Sequence, residues 1–189
     1  EKENVTFLLA ANMAKIKEAL DLISKRVGPA DNFLIFFAGQ GYWDATSEAG
    51  FWLPSDAQGI GFWCIPSDEK ESTRLAWLSN SMLNNYLHKI NSKHTLLITD
   101  ACFGGPVFNA QSVSSDPMVE VNTLNGLTGR KAITGGMILN IPEQGDFLSN
   151  LLVKLKENSE KYLPSEKLFK SIPETVSDST NIIPRFGEI

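Results

Sequence analysis

Asp100 and Cys102, with Ala101 between them and Gly104-Gly105 just beyond, are the residues of this chain best suited to covalent chemistry. A cysteine thiolate is a strong nucleophile, and a carboxylate two residues away can orient or receive a cation. The run that carries them, His94-Thr95-Leu96-Leu97-Ile98-Thr99, is apolar and of strand length. Such strands belong to parallel sheets covered by helices, where ligands bind beyond the carboxyl ends of the strands. That rule sets Cys102 at the rim, with the glycine pair turning the chain. A lone cysteine is equally at home as a small buried hydrophobe, so the motif by itself leaves both readings open.

A second stretch matches it. Asp31-Asn32-Phe33-Leu34-Ile35-Phe36-Phe37-Ala38 reads as another buried strand, running into Gly39-Gln40-Gly41. Two neighbouring strands of this kind deliver Gln40 and Cys102 to one rim. Together the two segments resemble the caspase-like cysteine peptidases, the group of caspases, metacaspases and paracaspases. There, one apolar strand ends in Gly-His-Gly and another in Asp-x-Cys-x-Gly. The likeness is strongest to bacterial caspase-family proteins. It extends to Phe51-Trp52-Leu53-Pro54-Ser55-Asp56 between the strands and Pro184-Arg185-Phe186-Gly187 near the end.

The resemblance implies a three-layer α/β fold with a mostly parallel central sheet and helices on both faces. It implies a cysteine endopeptidase with Cys102 as nucleophile and the backbone N–H groups of Cys102 and Gly41 as oxyanion donors. Asp100 stands where metacaspases and paracaspases hold a basic side chain, so cleavage after Arg or Lys is expected. The departure is Gln40, which occupies the position of the family's histidine. A carboxamide does not titrate near neutral pH, so it neither takes the thiol proton nor returns one to the leaving amine. General acid–base catalysis is typically worth ~10²–10⁴-fold, so a severe loss is expected. His94 begins the nucleophile strand, eight residues before Cys102 and so roughly 26 Å away at ~3.3 Å per residue; His88 precedes that same far end. Neither replaces the missing base. Three accounts stay open: an engineered substitution that keeps Cys102, a natural pseudo-protease that binds or regulates, or a base supplied by a residue outside positions 1–189.

The totals set bounds. The 189 residues fit one domain, 1–189, with a full core. With 42% hydrophobic and 21% charged residues the composition is that of a globular protein. A formal net charge of -5 argues against nucleic acid as a partner, and no apolar run reaches the ~20 residues that span a bilayer. Two cysteines give no disulfide framework and suit a reducing interior, hence a cytoplasmic expectation. The partner expected is a peptide or protein substrate, with further domains of a larger protein. The resemblance also implies a strand and helix before Glu1 and some chain after Ile189.

The elements that must position the motifs follow from periodicity. Val5–Ala10 reads as a first strand. Asn12 can cap a helix with Ile16, Ala19, Leu20, Ile23 and Val27 inward, which Gly28-Pro29 ends. Between Gly41 and Trp77 no long element is expected. That stretch holds an echo, Gly50–Asp56 and then Gly61–Asp68, read as a duplicated loop beside the rim. Ser79 and its neighbours can cap a helix to about Ile90, with Leu83, Leu87 and Ile90 inward. The polar stretch Pro106–Arg130 lacks periodicity, and the resemblance makes it a candidate for autoprocessing. Lys131–Gly136 reads as a strand, and Asp146 opens a helix with Phe147, Leu148, Leu151, Leu152 and Leu155 inward. Ser165 is expected to cap a last helix carrying Leu168 and Ile172, before a closing strand within Asn181–Ile189.

No cofactor is implied and no metal site stands out. Asp44, Glu48, Asp56 and Asp68 are scattered and follow no EF-hand spacing. Cys64 has no activating neighbour in sequence. Gly39-Gln40-Gly41 is not followed by the Lys-Ser/Thr of a phosphate loop, and the glycine fingerprint of a dinucleotide fold is missing.

Overall fold

The computed structural model describes residues 4–44, 46–57, 74, 76–101, 129–135, 146–172 and 185–189. In chain order these form α1 (Met13–Arg26), β1 (Asn32–Gly39), β2 (Gly41–Asp44), β3 (Ala49–Trp52), β4 (Leu78–Ser79), α2 (Asn80–Lys89), β5 (His94–Ala101), β6 (Gly129–Thr134), α3 (Asp146–Glu157), α4 (Ser165–Ser171) and β7 (Arg185–Glu188). The central sheet runs β1-β5-β6-β7; β1, β5 and β6 are parallel, and β7 returns antiparallel at the far edge. A second sheet, β2-β3-β4, is small and antiparallel.

Helices cover both faces, which makes three layers. On one face Met13 and Ile16 of α1 and Leu83 and Leu87 of α2 pack on Phe33, Ile35, Phe37, Leu97 and Ala132. On the other, Phe147 and Leu151 of α3 and Leu168 and Ile172 of α4 pack on Ile98 and Ile133. Strand side chains alternate between faces, so β5, the second strand in, is apolar on both sides. The helix caps form as their sequences require. The Asn12 side chain accepts from the Lys15 N–H, and the Ser79 hydroxyl accepts from the Met82 N–H.

Four expectations change. Val5–Ala10 forms no ladder: Phe7 and Leu9 are about 80% exposed (80% and 81%), while Thr6 and Leu8 lie along α1. A β-prone composition becomes a strand only where a neighbouring strand accepts its hydrogen bonds. This segment is tied instead by the Ala11 carbonyl, which accepts from the Ser55 N–H. Likewise β1 is not buried on both faces. It is the edge strand, and Leu34 and Phe36, which point away from α1, stay 58% and 43% exposed. Leu152 and Leu155 of α3 are exposed, because only the Phe147–Leu151 stripe meets the sheet. The cap of α4 is Pro164, with no side-chain hydrogen bond; Ser165 is already the first helical residue.

β6 also begins earlier than expected, since Gly129 and Arg130 already pair with His94 and Thr95. Among the described residues no helix is long and apolar enough to cross a membrane.

Candidate functional site

Parallel pairing fixes which residues share the carboxyl-terminal rim. β1 and β5 run in register from Asn32 opposite His94 to Gly39 opposite Ala101, without a bulge. Gln40 therefore leaves β1 at the level where the chain leaves β5 toward Cys102. Cys102, the Gly104-Gly105 turn, Cys64, the second echo and the stretch from Pro106 to Thr128 lie outside the described residues. Gln40 is exposed.

At Gln40 the chain crosses from the large sheet into the small one. The Leu53 N–H donates to the Gln40 carbonyl at 3.0 Å, and Gly41 stands opposite Trp52. In an antiparallel ladder hydrogen-bonded and non-hydrogen-bonded pairs alternate. Gln40 and Leu53 make the bonded kind, so Gly41 falls at a non-bonded position and its N–H points away from β3. The Trp52 ring stacks on Phe37 of β1 with centroids 4.0 Å apart and planes 8° from parallel, which holds the small sheet against the large one. Gly39 makes room for this: a Cβ there would lie 2.9 Å from Phe37 Cζ.

The first copy of the echo is part of the same scaffold. Ser55 donates its N–H to Ala11, and Asp56 Oδ1 accepts from the Met13 N–H at 2.9 Å, capping α1. Asp44 lies deeper in the small sheet. Its carboxylate accepts from the Ser47 hydroxyl, the Thr46 N–H and the Arg74 guanidinium, which also lies over the Tyr42 ring. The Ser47 hydrogen bond, then the Thr46 and Arg74 contacts, outweigh burial and hold the Asp44 carboxyl down at about 2. Asp44 and Asp56 are thus occupied as structural anchors. Among the described residues no cluster of His, Cys, Asp or Glu could hold a metal.

Asp100 differs from both. It is half-buried on the face covered by α3, and among the described residues its carboxylate has no hydrogen-bond donor and no cation beside it. Burial pushes its carboxyl up from the ordinary range. Its partner in β1 is Ala38. On the β6 side, Thr134 pairs with Thr99 and the Gly135 N–H donates to the Thr99 carbonyl at 2.8 Å, so Gly135 flanks Asp100. A Cβ on Gly135 would lie 3.1 Å from Asp100 Oδ1 and 3.1 Å from Phe147 Cγ and Cδ1. A carboxylate with no partner among the described residues thus sits in a row between alanine and glycine, and the space beside Gly135 is bounded by it and by the Phe147 ring. Sequence reasoning singled out Asp100 but not Ala38, Gly135 or Phe147. The one visible signal was that a strand ending in glycine follows the strand that carries Asp100.

The two histidines lie away from this rim. His94 starts β5 opposite Asn32, and its Nδ1 is 2.7 Å from Asn32 Oδ1; His88 Nδ1 is 2.8 Å from the Asn84 carbonyl. Six residues separate His94 from Asp100, about 20 Å of strand. No protein-family model matches the chain, and no curated protein matches it either.

Proposed function

We propose that this chain is a cysteine-peptidase domain of the caspase-like kind, built to bind peptides at a basic residue and impaired in cutting them by Gln40. One observation carries the reading. The in-register pairing of β1 and β5 brings Gln40, Asp100 and the residue before Cys102 to the same end of the sheet.

In the proposed reaction a Cys102 thiolate adds to the carbonyl carbon after an Arg or Lys of the substrate. The backbone N–H groups of Gly41 and Cys102 receive the oxyanion, and Asp100 pairs with the cationic side chain. Collapse of the adduct expels the amine, which needs a proton, and water then releases the acyl group from sulfur. Gln40 can hydrogen-bond to the peptide but cannot carry that proton. Binding is therefore expected to outlast turnover. A histidine at position 40 would supply the missing step, worth ~10²–10⁴-fold.

The test uses fluorogenic peptides ending in Arg or Lys. Gln40→His is expected to cleave them at least ~10²-fold faster than the parent chain, and Cys102→Ala in that background to abolish cleavage. A silent Gln40→His variant that binds Arg peptides and melts normally would favour the second reading, a peptide-binding or regulatory module. The specific observation behind that second reading is Gln40 itself. Preferential cleavage after Asp would overturn the role given to Asp100.

A further inference from the structure

We propose that Gly135 is a positioning residue for Asp100: by lacking a side chain it lets the carboxylate settle beside Phe147, turned toward the open side of the row where a cationic side chain reaches it. This inference rests on the reading of Asp100 as the receptor of a basic residue.

The geometry is specific to this corner of the sheet. Asp100 follows Thr99 on β5, and its neighbours across the sheet are Ala38 on one side and Gly135 on the other. The Gly135 position is fixed by its own hydrogen bond to Thr99, a residue only 1% exposed, so the glycine backbone cannot retreat. The place of its absent Cβ is 3.1 Å from Asp100 Oδ1 and 3.1 Å from two ring atoms of Phe147. Phe147 is itself 2% exposed and packed with Leu151 and Ile133. An alanine at 135 would therefore press on a rigid ring and on a carboxylate that no hydrogen bond among the described residues restrains. The carboxylate is the part that yields. It would give way on the Gly135 side by a few tenths of an ångström, which spoils its alignment with a cation. Gly135 thus acts through Asp100 and touches no peptide.

The prediction separates a positioning effect from mere packing. The 189-residue chain is titrated by fluorescence anisotropy with a labelled tripeptide amide ending in arginine and with its norleucine counterpart. Asp100→Asn should lose the arginine peptide and keep the norleucine one. Gly135→Ala should weaken the arginine peptide by ~10-fold or more, the scale of one charge-assisted hydrogen bond, with little change for norleucine. Gly135→Ala combined with Phe147→Leu removes the ring contact, so its melting temperature should recover while arginine affinity stays low.

Arginine binding that recovers with stability in the double variant would overturn the proposal, as would parent-like arginine binding by a folded Gly135→Ala chain. A parent chain that binds both peptides alike, or an Asp100→Asn chain that still favours arginine, would instead sink the reading of Asp100 on which the proposal stands.

Discussion

Gly39 stands opposite Ala101 in the parallel ladder of β1 and β5, so the two strands end level, one just before Gln40 and the other just before position 102. Strands in a sheet lie about 4.8 Å apart, close enough for a side chain on one to act on a group at the end of the other. On the proposed reading that action would include proton transfer only with a titratable residue at position 40.

The first prediction concerns the thiol. Gln40 carries no charge that could stabilise a thiolate, so Cys102 should alkylate at higher pH than in a chain with histidine at position 40. Gln40→His places an imidazole at the neighbouring strand end, and the imidazolium form favours the thiolate. Alkylation of Cys102 by iodoacetamide, followed by mass spectrometry so that Cys64 is scored separately, should then persist to below about pH 7.5. Identical profiles for the two chains would show that the residues at 40 and 102 do not communicate.

Asp100 should trade stability for binding. Burial raises its carboxyl pKa in the folded chain. The folded state thus holds the proton more tightly than the unfolded one, and the stability this gives is lost as pH rises through the ordinary carboxylate range and beyond. At neutral pH the ionised group is a net cost. Asp100→Asn should therefore raise the melting temperature at pH 7 and leave it unchanged where both states are protonated. Arginine-peptide affinity should fall with acidification through a titration displaced above ~3.9. A drop in melting temperature at pH 7 would show that the carboxylate is stabilised by a contact of its own.

Asp44 should behave in the opposite sense. Its carboxyl is held at about 2, first by the Ser47 hydroxyl and then by Thr46 and Arg74. A depressed pKa gives stability that is present above the ordinary carboxylate value and lost as pH falls from about 4 toward 2. Asp44→Asn should cost ~1–3 kcal/mol at pH 7, the range for hydrogen bonds to a charged group. The difference from the parent should shrink as pH falls through about 2 and vanish only below it. Chemical denaturation at the two pH values measures both numbers.

Trp52 couples the two sheets through its stack on Phe37, and it is almost fully buried. Trp52→Ala should cost ~3–5 kcal/mol, the range for removing a large buried aromatic. Among the described residues the indole nitrogen has no hydrogen-bond partner, so Trp52→Phe forfeits only area and should cost much less. If the two substitutions proved equally damaging by urea unfolding, the stacking account of how the rim is held would fail.

Much of this architecture was legible before any coordinates. The apolar runs of β1 and β5 and the Asn12 and Ser79 caps announce a strand and helix order, because burial and capping are local demands written into neighbouring residues. The candidate site was legible only in part: Gln40, Gly41, Asp100 and Cys102 are visible as strand-end residues of reactive or permissive type. The fate of Val5–Ala10, which makes no ladder, and of Leu152 and Leu155, which face water, was not legible. A strand needs a partner, and an apolar stripe needs a layer long enough to cover it; both are properties of distant chain.

By itself, then, the sequence marked helices α1 to α4 and the strands of the large sheet, with candidate site residues near their ends, since these depend on side-chain chemistry and on spacing within a few residues. Only the tertiary structure decided that Ala38 and Gly135 flank Asp100, that the Phe147 ring borders the space beside Gly135, and that Trp52 pins the crossing at Gln40. Those relations come from the register of strands far apart in the chain. Hydrogen-bond pairing between whole strands sets that register, and no single residue records it.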